Sequence, residues 1–393
     1  MKQCRNGRPA VAVTVTLATG VLVLGGRPGS AVAQDAISLE EPTAAYAEPF
    51  SLIGGIRELD DGRLLVSDAL EEKLYVLNPE LEGLETISQK GQGPDEYRQP
   101  DGLFGWPGDS TLMVDLGNGR MTVIGSDYGF GRTVPIVQQE EMGLQIVIPE
   151  GVDGGGYLYY QPRGDGMIRD SADIVRWQPD VEGAPEPVVR IKLADVTERT
   201  SGGANNMRQE VRPVPLSPED GWSVGSDGAV AVVRAGDYHV DWVRPDGSVA
   251  SGSPVAYEPV PVKEADKETW AEELAANGMM MMVSNNNGNM NARMRRGGGR
   301  TPDVDRFEWP EVKPPFVPES VRVDPLGYVW VERHVPAGDS PVLDVFDAEG
   351  GRVGSVTIPV RSSLRGFGDG TLYLTRRDDL GFQWLERFER PSI

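Results

Sequence analysis

Apolar and polar positions alternate in short runs along most of the chain, and the runs recur. Leu64-Leu65-Val66-Ser67-Asp68 reads as a strand ending in Asp, followed after a gap of five by the basic residue that opens Lys73-Leu74-Tyr75-Val76-Leu77. Leu112-Met113-Val114-Asp115 and Arg120-Met121-Thr122-Val123-Ile124 repeat the arrangement about 47 residues further on. Weaker copies begin at Tyr157, Asp227, Asp324 and Asp369, which makes six. A period of this length marks a repeat architecture.

Each copy follows one physical logic. Asp61-Gly62, Asp227-Gly228 and Asp369-Gly370 supply the positive φ that a tight hairpin turn requires. The strand after each turn is rich in Val, Leu, Tyr and Trp, as in a sheet covered on both faces. One unit cannot bury its own faces, whereas six arranged radially bury each sheet against the next. The pattern predicts an all-β fold, a six-bladed β-propeller of four-stranded antiparallel blades occupying residues 34–393. The last copy holds only three strands before the chain ends, so the segment Ile37 to Phe50 is expected to donate the fourth.

One stretch departs from the repeat, an insertion over residues 263–310 between blades 4 and 5. Lys263 to Ala276 is rich in Glu and Ala, with Trp270 and Leu274 one turn apart and Asn277-Gly278 as a C-cap, which predicts a helix. The Met-, Asn-, Gly- and Arg-rich run that follows lacks periodicity and is expected to be a disordered loop.

Gly91-Gln92-Gly93-Pro94-Asp95-Glu96-Tyr97, then Pro100-Asp101-Gly102 and the strand ending at Asp115, resembles the inter-blade signature of NHL-type propellers. More narrowly it resembles exported bacterial six-bladed propellers, whose usual form is Gly-x-Gly-Pro-Gly-Glu-Phe. Here Asp95 stands for a Gly and Tyr97 for the Phe. The match is specific in blades 1 and 2 and dilute beyond residue 140. Gly91-Gln92-Gly93 is followed by Pro and a strand, without the helix N-terminus that a phosphate-cradling loop needs, so it reads as a structural loop.

Charge and composition narrow the function. With 60 acidic and 38 basic residues the net charge is -22, which argues against a nucleic-acid partner. Residues 1–33 have the layout of a signal peptide: Lys2, Arg5 and Arg8, an apolar stretch to Gly25, and Ala31-Val32-Ala33 as a cleavage site. Cleavage after Ala33 would leave 34 basic against 60 acidic residues, with no integral membrane segment, and would remove the only Cys. The mature chain is expected in the periplasm or outside the cell, as a monomer without disulfides.

Candidate chemistry is sparse. There are two histidines, His239 and His334, and no Gly-x-Ser-x-Gly elbow, so a histidine cluster or activated serine is not available. The three-His zinc site of amidating lyases that share the NHL fold cannot be built. Carboxylates could hold a divalent Ca, Mg or Zn ion in the central channel, as the resemblance to gluconolactonase-like propellers implies, yet no spacing singles out a set. Asp68 and Asp115 recur at equivalent positions, the mark of a turn-stabilising carboxylate. The methionines Met279, Met282, Met290 and Met294 are soft ligands that could take Cu(I). The reading is an exported module that binds a ligand or a protein partner on one face, with Arg98 and Asp101 at the channel mouth. A metal-dependent hydrolase or lactonase is the alternative.

Overall fold

In a computed structural model of the chain, residues 37–140, 143–162, 169–179, 181, 183–201, 208–286 and 289–393 are described, and the expected leader lies outside them. Six antiparallel sheets form the six predicted blades. Their innermost strands are Ile53–Glu58, Pro100–Trp106, Gly151–Val152, Gly221–Val224, Arg322–Val323 and Ser362–Gly368.

The alternation of side chains along a strand explains why the ring closes. Leu64 and Val66 of blade 1 pack with Tyr373 and Leu385 of blade 6, while Leu65 between them packs with Leu103 and Met113 of blade 2. Val230 and Val232 of blade 4 face Tyr159 and Ile174 of blade 3, and Ala231 and Val233 face Val329 and Val331 of blade 5. The remaining two interfaces are filled by Leu112, Val114, Leu158 and Tyr160, and by Trp330, Leu343, Leu372 and Leu374. One apolar cluster therefore sits at each of six blade interfaces. Each fully buried side chain of this size contributes about 1.5–3 kcal/mol.

The clasp is formed as expected and then extended. Ala44–Ala45 pairs antiparallel with Glu386 and Arg387 as the outer strand of blade 6, and Phe50 bridges to Gln383. Ile37–Ser38 goes one blade further and pairs parallel with Val356 and Thr357 of blade 5.

The two faces of the ring differ. On one, the blades turn through tight loops such as those at Gly62 and Gly228, both at φ +81°. On the other face lie the long connections: the hairpins Val137–Glu140/Gly143–Ile146 and Val196–Ser201/Arg208–Pro213, and the insertion. Long loops gathered on one face of a rigid repeat scaffold mark the side where function resides.

The insertion holds the predicted helix, α1 (Glu264–Asn277). Gly278 ends it at φ -59°, outside the left-handed region. Its lack of a side chain matters for a different reason, since a Cβ there would overlap the Leu274 carbonyl oxygen. The run expected to be a disordered loop is instead paired: Met279–Asn286 and Asn289–Arg296 form an antiparallel hairpin. Composition gave no periodic signal because the apolar residues at the hairpin's base are core residues of the propeller, not one face of an isolated sheet. Among the described residues no helix is long and apolar enough to cross a membrane.

Candidate functional site

The signature loop between blades 1 and 2 is a brace. Glu96 accepts the Gly93 N–H at 2.8 Å, Arg120 donates to the Gly93 and Glu96 carbonyls at 2.7 Å each, and buried Tyr97 accepts the Leu74 N–H at 3.0 Å. A Cβ on Gly91 would overlap the Glu96 carboxylate. Asp68 and Asp115 are turn carboxylates as expected. Asp68 accepts the N–H groups of Ser51, Leu52, Leu70 and Glu71, and Asp115 those of Arg98, Gln99 and Asn118.

Asp101 lies on the innermost strand of blade 2 and is buried. It is not open to a ligand, because Arg296 from the base of the hairpin grips it with two hydrogen bonds of 2.7 and 2.8 Å. Gln99 ties the same place, accepting the Arg296 N–H and donating to its carbonyl. The pocket for this ion pair exists because blade 1 offers Gly54, where a Cβ would stand 2.6 Å from the Asp101 carboxylate. Arg98 supplies a backbone N–H to Asp115, and no hydrogen bond or ion pair of its side chain is found among the described residues.

The other end of α1 is pinned across the ring. Asp266, in the first turn, accepts the Lys263 N–H and pairs with Lys313 at 2.6 Å, both side chains buried. Burial pushes the Asp266 carboxyl up, but Lys313 and the Lys263 N–H outweigh it and leave it below its ordinary value. Trp270 packs on Phe307 and Trp309 with ring centroids 5.0 and 5.4 Å away. Fourteen residues at about 1.5 Å rise make a rod roughly 21 Å long. The helix thus crosses the face from the blade 4–5 side to blade 2 as a strap.

Beneath the strap the centre of the ring carries charge. Pro149-Glu150, Pro218-Glu219 and Pro318-Glu319 each stand just before the innermost strand of blades 3, 4 and 5. Arg322 opens the innermost strand of blade 5, Arg365 lies on that of blade 6, Glu332 and Arg377 end the neighbouring strands, and α1 contributes Glu273. Glu273 and Glu319 reach solvent while Glu219, Glu332, Arg322, Arg365 and Arg377 are half-buried.

These groups sense one another. Burial raises Glu219 to about 7, with Glu319 adding repulsion, and burial raises Glu332 to about 7, with Glu273 adding repulsion. Burial and the like charges of Arg322, Arg377 and Arg296 lower Arg365 to about 10. Several half-buried arginines elsewhere are paired, Arg333 with Asp344, Arg234 with Asp220 and Asp241, Arg390 with Asp324, whereas Arg98 and Arg387 have no carboxylate within 4.0 Å among the described residues. Arg322, Arg365 and Arg377 have no carboxylate within 4.0 Å among the described residues, nor have Glu219, Glu319 and Glu332 a basic partner.

Glu332 makes a test of this electrostatic reading. Its folded value lies above the unfolded one, so the native state binds the extra proton and loses stability as pH rises from about 4.5 to about 7. Glu332→Gln removes that loss. Thermal melts are expected to show the variant more stable than wild type at pH 8 and level with it at pH 4.5; an equal difference at both pH values would refute the shift.

A metal centre is not supported by the described residues. Among the described residues no group of three or more His, Cys, Asp or Glu side chains is arranged to hold an ion. His239 lies between Asp237 and Asp241, and burial with the Lys313 charge lowers His334 to about 4. Of the four methionines considered for copper, Met294 is buried in the cluster between blades 2 and 3 with Met279 against it, while the side chains of Met282 and Met290 lie outside those described. A groove of about 570 Å³ lies between the rims of blades 1 and 2, lined by Val76, Ile87, Tyr128 and Phe130 among others. It gathers no opposed charges, which makes the strapped centre the stronger candidate.

Fold and site together define a six-bladed β-propeller with half-buried charged groups beside α1 on one face. No family model matches the chain, and no curated protein matches it in sequence. Among solved structures it is similar to a gluconolactonase from Xanthomonas campestris, at 12% identity over 88% of each chain with a TM-score of 0.41. It is similar also to the calcium-binding protein regucalcin from Agrobacterium tumefaciens, at 12% identity over 90% of this chain and 98% of that one with a TM-score of 0.39. A DUF4221 family member from Bacteroides vulgatus aligns at 10% identity over 89% and 97%, with a TM-score of 0.44. At these values the likeness is one of fold alone.

The central cluster was missed in the sequence because its members come from separate repeats and form no local motif. Pro-Glu dipeptides precede three successive innermost strands, but in different registers: Glu150 stands two residues before Val152, Glu219 five before Val224 and Glu319 four before Val323, so aligning the repeats does not bring them together.

Proposed function

We propose that the protein is an exported binding propeller that holds a small polar ligand at the mouth of its central channel, under the α1 strap. The observation that carries this is the set of guanidinium and carboxyl groups at the centre that have no ion-pair partner among the described residues. Unpaired charge in a half-buried place is costly, and a site keeps it when a ligand supplies the partner. The signal-peptide layout of residues 1–33 and the NHL-like brace at Gly91 to Tyr97 support an exported bacterial propeller acting in the periplasm or outside the cell.

Glu219 and Glu332, both raised to about 7, support a second reading, proton transfer to or from the bound ligand. One experiment addresses both. The protein is purified after export with its own leader and screened by thermal shift against a library of small polar metabolites, beside the variant Arg365→Met. Hits are expected to raise the Tm of wild type, to bind the variant at least about tenfold more weakly, and to be recovered unchanged. Hits that shift both proteins equally, or no hits, overturn the channel site; conversion of a hit to product favours the second reading.

A further inference from the structure

We propose that the groove between the rims of blades 1 and 2 is a docking site for an extended, basic segment of a partner protein, which adds to the outer edge of blade 1 as a further strand. None of the groove's residues belongs to the central cluster.

Blade 1 ends in a free edge. Glu85–Thr86 is its outer strand, paired antiparallel with Val76 and Tyr75. Ile87 donates its N–H to the Leu74 carbonyl at 2.9 Å, which makes Leu74 and Ile87 a hydrogen-bonded pair. Such pairs alternate along an antiparallel ladder, so the N–H and C=O of Thr86 point away from its neighbour strand. Neither has a partner among the described residues. Blade 5 shows what such an edge accepts. There the chain's own Ile37–Ser38 lies parallel to Val356 and Thr357, and Ile37 and Leu39 pack into the apolar cluster between blades 5 and 6.

The groove beside Thr86 offers a partner the same kind of support. It holds about 570 Å³ between Glu85 to Ser88 of blade 1 and Tyr128 to Phe130 of blade 2. Phe130 is stacked on buried Tyr97 of the signature loop, with ring centroids 6.4 Å apart, which fixes that wall. A second hollow of about 490 Å³ continues the first, since both are lined by Ser88 and Asp95. A site for a small molecule encloses most of it. Here Glu85, Thr86, Ser88, Asp95 and Gly129 are all exposed, so the groove lies open and suits a chain laid along it.

Charge selects the occupant. Glu85 and Asp95 line the first hollow and Asp95 and Glu96 the second, and no Lys, Arg or His lines either. The side chains of Glu85 and Asp95 make no hydrogen bond or ion pair among the described residues. Arg63, 4.8 Å from the centre of the Tyr128 ring, is already paired with Asp61. In an added strand, basic side chains on alternate residues would meet the free acids while those between them turn to Ile87 and Phe130. A second copy of this chain is a poor occupant, because each copy carries a net charge of -22.

Fluorescence anisotropy tests this with capped octapeptides in which Lys or Arg alternates with Val, Leu, Phe or Tyr. Beside each stand a counterpart with Glu for every basic residue and two copies N-methylated on the odd or the even backbone nitrogens. At least one basic peptide is expected to bind, and its acidic counterpart and one of its methylated copies to bind at least about tenfold more weakly. Glu85→Lys combined with Asp95→Lys should weaken it by about tenfold or more. Thr86→Pro should do the same, since it removes the outward N–H and leaves the bonds of the neighbouring residues in place. Both variants are expected to melt close to wild type, which separates lost binding from lost folding. Acidic and basic peptides that bind alike, variants that bind as tightly as wild type, or a set in which no basic peptide binds overturn the proposal. So does a wild-type dimer in light scattering that the two Lys substitutions dissociate, because the groove then serves a second copy.

Discussion

Replacing Asp344 with Ala is expected to cost about 3–5 kcal/mol of stability, the scale for breaking a buried ion pair by removing one partner. Asp344 sits in the third strand of blade 5 with no exposed surface. Arg333 donates to it at 3.0 and 2.6 Å, Arg352 at 3.1 Å, Ser355 at 2.9 Å and the Tyr238 hydroxyl, from blade 4, at 2.6 Å. Burial and the charge of Asp344 hold the Tyr238 phenol well above its ordinary value, so it stays a donor at every working pH. Tyr238 is also held at φ +49°, a left-handed conformation that costs a bulky residue about 1–2 kcal/mol. The hydrogen bond to Asp344 helps to offset that strain. Removing the carboxylate strands the Arg333 guanidinium and the Tyr238 hydroxyl in the blade interface, where water reaches them poorly. Arg352, more exposed, can turn to solvent. Urea unfolding followed by tryptophan fluorescence measures the loss. Asp379→Ala, which removes an exposed partner of Arg361, is the control and is expected to change stability by less than about 1 kcal/mol. Equal effects of the two substitutions would show that the blade 4–5 cluster carries no special share of stability.

The ring was legible in the sequence because its physics is local and repeated. Leu64 and Val66 alternate with Leu65 in the chain, and the same alternation delivers them to two different interfaces in space. Asp61-Gly62 announces its turn because the backbone there demands a positive φ. Asp68 and Asp115 could be read as turn carboxylates from recurrence alone. What could not be read depends on contacts between distant segments. Arg296 and Asp101 are 195 residues apart, and neither shows in isolation that it is the other's partner. Asp101 lies on the innermost strand of blade 2, where the insertion itself occupies its carboxylate, a contact that no local pattern announces. The Met-rich run looked structureless by composition, yet Met294 is core and Arg296 is an anchor. Gly54 and Gly55 read as an ordinary pair of strand glycines until blade 2 is placed against them; a Cβ on Gly55 would come within 2.5 Å of the Leu103 nitrogen. The polar centre was hidden for the same reason as the strap: it belongs to the ring and to no single repeat.

That dependence on one distant ion pair makes Arg296→Met the most informative change to the strap. The substitution leaves Asp101 buried, where desolvation already pushes its carboxyl up against the opposing pull of Arg296. Without that pull its folded value rises further above the unfolded one, so the native state loses stability as pH climbs from the unfolded value through the folded one. The expected cost is about 3–5 kcal/mol where Asp101 is ionised, shrinking at acid pH as the carboxyl takes up a proton. Adding Asp101→Asn removes the stranded charge and is expected to restore most of the stability. It does not restore the anchor, because a neutral amide and a thioether side chain cannot reproduce the two-pronged grip. The single and double variants should therefore agree in one measurement and disagree in another. Amide hydrogen exchange over residues 264–277 is expected to speed up in both, since that end of α1 is held by Arg296, whose guanidinium also donates to the Asn277 carbonyl at 3.3 Å. The Tm at pH 8 is expected to fall in the single variant alone. Unchanged exchange in the helix would mean that Lys313 and the Trp270 cluster hold the strap by themselves, and that the mouth is covered by a fixed part of the wall instead of a segment pinned at both ends.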